Sequence, residues 1–221
     1  MSHADAARLK LFQLVSPALP VGAFSYSEGL EVLVQQGLLA GPQDLEPWLC
    51  AELQRGAVAM EAAALGTLFS ALRGGDRAAV VELDGWLLAQ REAVEVRAQQ
   101  RQMGQSLLLL LADLGWPLPG GAPLAWPAAF AWAALCLELG SPDLEEAYLY
   151  SWVANQISAA VRLVPLGPTQ GQRLQLALAP LIAEQAAELS SSDPRQLWNG
   201  GIGAGLAQLQ HAELYSRLFR S

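Results

Sequence analysis

Apolar residues recur every three or four positions along most of this chain, which is the spacing of one buried face of an α-helix. The clearest run begins at Pro42, a proline in a first-turn position, and stops at Gly74 and Gly75. Its apolar positions are Leu45, Trp48, Leu49, Leu53, Met60, Ala64 and Leu68. We predict one long helix there. No stretch of four to eight residues alternates convincingly between apolar and polar, so the pattern does not support a sheet.

Proline, glycine and capping residues divide the rest of the chain into further helices. Ser25 and Glu28 have capping-box spacing and predict the start of a helix that ends at Gly37. Asp193 and Pro194 predict a short turn, and the glycine-rich residues 200–205 predict a flexible joint. The other predicted helices cover residues 5–15, 76–90, 91–113, 126–139, 141–163 and 168–190.

These elements predict an all-α fold: a single-domain bundle of about seven to ten helices over residues 1–221, with no internal repeat and no long linker. It divides into an N-terminal helix at 1–15, a loop at 16–27 that serves a partner or the core, and a C-terminal tail at 206–221.

In a helical tail, Leu214, Tyr215, Leu218 and Phe219 would share one side, with Arg217 and Arg220 beside them. Such a stripe either folds back onto the protein's own core or docks on a partner.

Composition narrows the classes of partner. Hydrophobic residues make up 52% of the chain and charged residues 15%, which favours an apolar exterior reserved for other subunits. The net charge is -8 and Lys10 is the only lysine, so nucleic acid is not expected as a partner. The uncharged residues 114–137 could cross a bilayer by length, but four prolines and three glycines favour a loop followed by a buried helix.

Targeting and redox signals favour the cytoplasm. The amino terminus shows no basic-then-apolar leader. Cys50 and Cys136 give no disulfide framework and are expected to be small packed hydrophobes.

Residues for catalysis or cofactor binding are scarce. The two histidines, His3 and His211, belong to no recognisable catalytic triad and do not have the spacing of a zinc-binding helix with two histidines. The sequence also has no glycine-rich phosphate-binding loop. We therefore predict no cofactor, no catalytic residue and no metal site in this chain. His211 is the one ligand candidate, and capping or hydrogen bonding by its imidazole is the alternative. A small-molecule enzyme would have to use Glu31, Glu95 and Arg97 as its acid–base groups.

Two polar groupings stand out on otherwise helical stretches. Residues 91–106 carry many charged and amide side chains at ion-pair spacing, which predicts a solvated helix face. Asn155, Gln156, Ser158 and Arg162 lie on an apolar helix and need hydrogen-bond partners from the same fold or from a symmetry mate.

Several segments together resemble the UreF family of urease accessory proteins. They are residues 16–31 (SPALPVGAFSYSEGLE), residues 159–167 (AAVRLVPLG) with Gly171 and Gln172, and residues 211–221 (HAELYSRLFRS). The central residues Arg91, Glu92, Glu95, Arg97, Met103 and Gly104 also resemble the family.

The resemblance implies an all-helical, non-enzymatic protein of a nickel-insertion complex. Such proteins form homodimers, bind the UreD scaffold (also called UreH), recruit the GTPase UreG and modulate its activity, so that nickel reaches apo-urease. Nickel is then handled by the complex and not bound tightly by this chain. A self-contained helical structural protein is the remaining alternative.

Carried over to this sequence, the resemblance implies partner-binding roles in the opening loop, the central helices and the tail. The residues concerned are Pro20, Gly22, Phe24, Tyr26, Arg97, Arg162, His211, Tyr215, Arg217, Leu218, Phe219 and Arg220. We expect a tail that is mobile in the isolated protein and becomes helical on the scaffold.

Overall fold

The structure is a computed structural model that describes the backbone of residues 3–221 and the side chains of residues 9–221. The side chain of His3 therefore lies outside the described residues. In the described part the chain forms ten α-helices and no strand, which confirms the predicted all-α fold. The helices are α1 His3–Leu14, α2 Leu30–Gln35, α3 Pro42–Arg55, α4 Ala57–Gly74, α5 Arg77–Ala89, α6 Val94–Asp113, α7 Trp126–Leu137, α8 Asp143–Leu163, α9 Pro168–Leu189 and α10 Ile202–Gln210.

Most helix boundaries lie where the proline, glycine and capping residues of the sequence predict them. Helix α1 ends just before the Ser16–Pro17 pair, α8 ends at Leu163, and Pro168 occupies the first turn of α9. The Asp193 carboxylate accepts a hydrogen bond from the Arg195 amide and begins a short 3-10 helix, Pro194–Gln196. Local capping and proline chemistry therefore accounts for most of the connections.

The predicted long helix from Pro42 to Gly74 is wrong, because the chain breaks at Gly56. Gly56 is extended and separates α3 from α4. A Cβ atom at this position would lie 2.7 Å from the carbonyl oxygen of Glu52. The glycine lets the backbone leave one helix and begin the next without a clash.

Two more local predictions fail because tertiary contacts decide those segments. Ser25 lies in the short 3-10 helix Ala23–Ser25, and the N-cap of α2 is Gly29. The predicted flexible joint at 200–205 instead begins α10, which packs against α2. A Cβ at Gly29 would lie 2.9 Å from the Gln208 amide nitrogen, so the glycine permits this close packing.

The core centres on α7, which is buried along nearly its whole length. It packs against α4 and α6, while α8 packs against α9 and α4. The uncharged residues 114–137 thus form a loop followed by a buried helix, as predicted. Among the described helices, none has the length and apolar character needed to cross a membrane. Cys50 and Cys136 are free and partly buried, and burial raises the pKa of both thiols.

Candidate partner-binding surface

Three segments that are far apart in sequence meet at one end of the fold: the opening loop, the end of α8, and residues 214–221, which we call the C-terminal segment. Arg162 Nη1 on α8 donates to the Phe24 carbonyl oxygen at 3.2 Å. The Arg220 amide donates to the Ser25 carbonyl oxygen at 2.9 Å. The Ser221 carbonyl oxygen accepts from the Ser27 amide at 2.8 Å and from the Ser27 hydroxyl at 2.7 Å. Backbone contacts thus hold the C-terminal segment on the opening loop.

The C-terminal segment is not helical in this chain alone, and its change to a helix on the scaffold stays a prediction. The last helical turn is the 3-10 helix His211–Glu213, and residues 214–221 continue without a helix. Glu31 accepts hydrogen bonds from the amides of Leu218, at 2.7 Å, and Phe219, at 3.1 Å. Because a buried carboxylate and loop carbonyls satisfy these amides, the segment needs no internal helical bonds.

The apolar side chains of the C-terminal segment divide between the interior and the surface. Phe219 is buried, with the Arg162 guanidinium carbon 4.4 Å from its ring centroid. Leu214 packs partly against the core. Tyr215 is fully exposed and Leu218 is half exposed. The segment therefore folds back onto the core through Phe219 and presents Tyr215 and Leu218 outward.

His211 lies completely buried between two carboxylates. Its Nδ1 is 2.7 Å from Glu95 Oε2, and its Nε2 is 3.3 Å from Glu31 Oε2. Arg217 Nη1 contacts the other oxygen of Glu95 at 2.5 Å. The imidazole thus has the hydrogen-bonding role that the sequence offered as an alternative to metal ligation. In the part of the chain that the structure describes, no cluster of three or more His, Cys, Asp or Glu residues could hold a metal ion.

The acid–base groups of the enzyme alternative do not converge on a free reaction site. Glu31 and Glu95 are engaged by His211 and the C-terminal segment. Arg97 instead donates to the carbonyl oxygens of Arg91 and Glu92, at 2.6 and 2.8 Å, and fixes the loop before α6. Arg97 therefore does not join the surface around Phe24.

Beneath this surface lies a buried polar network that the sequence analysis missed. Arg91 pairs with Glu61, its Nε atom lying 2.8 Å from Oε1, and Glu28 Oε2 lies 3.8 Å from Arg91 Nη1. Tyr148 donates to the other oxygen of Glu61 at 2.8 Å. Burial raises the pKa of Glu61, against the lowering effect of Arg91. Glu61 stands alone in the apolar sequence of α4, and such an isolated acid is the signal that could have revealed the network.

The prediction of a solvated face over residues 91–106 is therefore wrong for its inner side. Arg91, Gln99 and Gln100 are buried, and Gln99 Nε2 donates to Glu28 Oε1 at 2.7 Å. Trp152 on α8 donates to the other oxygen of Glu28 at 3.2 Å. Amide and charged side chains can enter the core here because each meets a polar group from another part of the chain.

An open groove of about 530 Å³ adjoins the surface. It runs between the opening loop and helices α8 and α9, and Phe24 and Arg162 lie along its edge. Phe24 is 67% exposed, which is a high value for a phenylalanine outside an interface. Apolar and cationic side chains thus border a cavity large enough to receive part of another protein.

Comparison with known proteins shows which family the chain is similar to. The sequence model of the UreF family matches residues 39–179. The urease accessory protein UreF of Thermosynechococcus vestitus is 41% identical over 98% of this chain and 99% of its own length. That of Alkalilimnicola ehrlichii is 40% identical over 97% of this chain and 96% of its own length. This chain belongs to the UreF family.

The UreF-like motifs contribute both exposed and buried residues to the surface. Pro20, Phe24, Arg162, Tyr215, Arg217, Leu218 and Arg220 are exposed. Gly22 has a left-handed backbone with φ of 73° at the turn before the 3-10 helix. Tyr26, His211 and Phe219 are buried, which agrees with the alternative that the opening loop and the tail serve the core. Their side chains fill the core under the loop and the C-terminal segment, so they support the exposed residues.

Proposed function

We propose that this protein is a non-enzymatic urease accessory adaptor that bridges the UreD scaffold (UreH) and the GTPase UreG. In this role it modulates the GTPase activity and serves nickel insertion into apo-urease, with nickel as cargo of the complex. It works as a homodimer in the cytoplasm. Family membership supports the accessory role, since the related proteins from T. vestitus and A. ehrlichii are named urease accessory proteins.

The observation that carries the proposal is the convergence of the three motif segments on one exposed surface. Phe24, Tyr215 and Leu218 expose large apolar side chains there, and Arg162 and Arg220 supply charge. Interfaces are enriched in aromatic residues and arginine, which bury large areas and form directional hydrogen bonds. A partner that covers this surface would bury those side chains without any unfolding of the adaptor.

The small-molecule enzyme remains the competing function, and the contacts of its acid–base groups argue against it. Glu31 and Glu95 hold the C-terminal segment, and Arg97 holds a loop. A substrate would have to displace these internal partners before either carboxylate could transfer a proton. The adaptor function needs no such rearrangement.

Co-expression with UreD and UreG tests the proposal directly. We expect affinity capture of both partners, a changed GTP hydrolysis rate of UreG, and activation of apo-urease in cells that lack their own UreF. The double variant Phe24→Ala/Tyr215→Ala removes two exposed aromatic side chains and should weaken capture at least tenfold, because each is a candidate anchor. Light scattering of the purified protein should give the mass of a dimer.

The matched control is Leu109→Ala/Leu176→Ala, which removes exposed apolar side chains from α6 and α9 outside the surface. It should capture both partners like the wild type. Capture of neither partner by the wild type would refute the adaptor function. Steady turnover of a small molecule by the purified protein would favour the enzyme, and a stable chain that neither turns over a substrate nor captures a partner would favour the structural protein.

A further inference from the structure

A polar cavity of about 140 Å³ lies on another part of the molecule, between α3, the loop that joins α5 to α6, and α10. Glu52, Gln90, Asn199, Gly201 and Gln208 contribute to its wall. A site of this size and polarity holds several water molecules or the end of a long side chain. The residues used for the adaptor surface take no part in it.

The Glu52 carboxylate faces this cavity without a partner. The side chain is 92% buried, since its exposed fraction is 8%. Among the hydrogen bonds and ion pairs of the described residues, none reaches its carboxylate. Gly56 and Gly201 leave room for the two oxygens: a Cβ at Gly201 would lie 3.1 Å from each of them. A buried carboxylate without a counter-group is costly, so this geometry suits a cation from outside.

The charges around the cavity also favour a cation. Arg91 lies in the cavity wall, but its guanidinium is paired with Glu61 and lies near Glu28. The Arg91 guanidinium is thus already shared by two other carboxylates, Glu28 and Glu61. Burial raises the pKa of Glu52 to about 7, and Glu28 adds to the rise, while Arg91 and Arg55 oppose it. An added cation would restore the charge balance and hold Glu52 ionised.

The amides in the wall suit a flat group with several donors. Gln208 donates its Nε2 to the Glu28 carbonyl oxygen at 3.2 Å, which leaves its Oε1 to accept. Asn199 Oδ1 accepts from the Gly201 amide at 3.0 Å and retains a second lone pair. A guanidinium has five donors in a fixed plane and can bond a carboxylate and amide oxygens together. An ammonium, with three donors, matches this set less well.

An exposed apolar stripe borders the mouth of the cavity. Ile202, Leu206 and Leu209 recur at helical spacing along α10 and are 68%, 54% and 43% exposed. Trp198, just before α10, is 84% exposed. Ile202 and Leu206 also line the cavity. A free small cation would leave this stripe in water, whereas a polypeptide with apolar neighbours beside its cation would cover it.

We propose that the cavity beside Glu52 receives the guanidinium of an arginine on a partner protein, and that the α10 stripe packs against apolar residues beside that arginine. The proposal rests on the adaptor function above and adds a second contact surface to it. The partner is thus recognised by an arginine within an apolar segment. Arg55, an exposed residue one turn from Glu52, is the competing cation within this chain.

Methylguanidinium chloride probes the cavity in the full-length protein. We expect 50 mM of this salt to lower the pKa of Glu52, read from its side-chain carboxyl carbon by NMR, by about 0.5, a threefold preference for the ionised form. Tetramethylammonium chloride at the same concentration cannot donate hydrogen bonds and should leave the pKa unchanged. The Arg55→Ala variant should respond like the wild type. An equal response to both salts, or a response that appears only in Arg55→Ala, would overturn the proposal.

Partner capture tests the source of the cation. We expect Glu52→Gln and Ile202→Ser each to raise the Kd for UreD or UreG at least tenfold, while Glu46→Gln, exposed on the same helix, changes neither. Ile202→Ser alters only an exposed side chain, so it decides the question even if Glu52→Gln perturbs the fold. Unchanged capture by both variants would overturn this proposal and leave the adaptor function standing. Capture of neither partner by the wild type would overturn the two together.

Discussion

The Arg162 guanidinium lies over the Phe219 ring, 4.4 Å from its centroid, and joins α8 to the C-terminal segment. The same guanidinium donates to the Phe24 carbonyl oxygen, so one side chain connects all three segments of the candidate surface. Phe219 is buried beneath it, while Tyr215 and Leu218 remain outside. The surface is thus presented by a segment that is already anchored.

Removing the Arg162 side chain should loosen the C-terminal segment without unfolding the protein. In Arg162→Ala we expect amide hydrogen exchange at Phe219 and Arg220 to accelerate roughly fivefold, because a cation–π contact contributes about 1 kcal/mol. Arg173→Ala, an exposed arginine on α9, is the control and should leave those amides unchanged. Equal exchange rates in the wild type and Arg162→Ala would show that the ring contact does not hold the segment.

Glu31 is the stronger anchor, since it accepts from two backbone amides and faces His211. Glu31→Gln keeps the shape but removes the charge, and each hydrogen bond to a charged group contributes about 1.5–3 kcal/mol. We expect a loss of about 2–4 kcal/mol in the free energy of unfolding by urea, together with faster proteolysis within residues 214–221.

The exposed Glu213→Gln is the matched change for this test. It should leave both the urea midpoint and the proteolysis pattern as in the wild type. If Glu31→Gln behaved in the same way, the hydrogen bonds from Leu218 and Phe219 would not be what holds the segment.

Gly104 allows α6 to approach the chain just before α7. A Cβ at this position would clash with the Leu124 carbonyl oxygen and lie 2.7 Å from the carbonyl carbon of Ala125. Gly104→Ala should therefore lower the free energy of unfolding by about 1–3 kcal/mol, since overpacking forces backbone shifts. Gly85→Ala in α5, where no atom lies within 4 Å of the added Cβ, should instead stabilise by up to about 1 kcal/mol. A loss in both variants, or in neither, would contradict this packing argument.

Glu52 should make the protein less stable as the pH rises. Burial raises its pKa in the folded state from 4.5 to about 7. The contribution of its protonated form to the free energy of unfolding is therefore complete below pH 4.5 and is lost as the pH rises through about 7. Glu52→Gln cannot ionise, and it should be more stable than the wild type by about 3 kcal/mol at pH 8.5, with a smaller difference at pH 5. Urea titrations of both proteins across this range measure the difference.

The exposed Glu46→Gln, on the same helix, should follow the wild-type pH dependence. A difference between Glu52→Gln and the wild type that stayed constant from pH 5 to pH 8.5 would contradict a raised pKa at Glu52.

The amino-acid sequence by itself determined the all-α class and most helix ends, because proline, glycine and capping residues act through their immediate neighbours. The start of α9 at Pro168, the end of α1 before Pro17 and the turn at Asp193 are of this kind. The motif segments were also visible in the sequence, since they depend on residue order alone.

Only the tertiary structure decided where those segments meet and which of their side chains remain exposed. Glu31 and the opening loop satisfy amides of the C-terminal segment, so it is held on the core without forming a helix. Arg91, in the loop between α5 and α6, and Glu61, on α4, enter the core because they pair with each other. Long-range hydrogen bonds and charge pairs depend on the packing of the whole chain, so the local pattern of apolar and polar residues does not predict them.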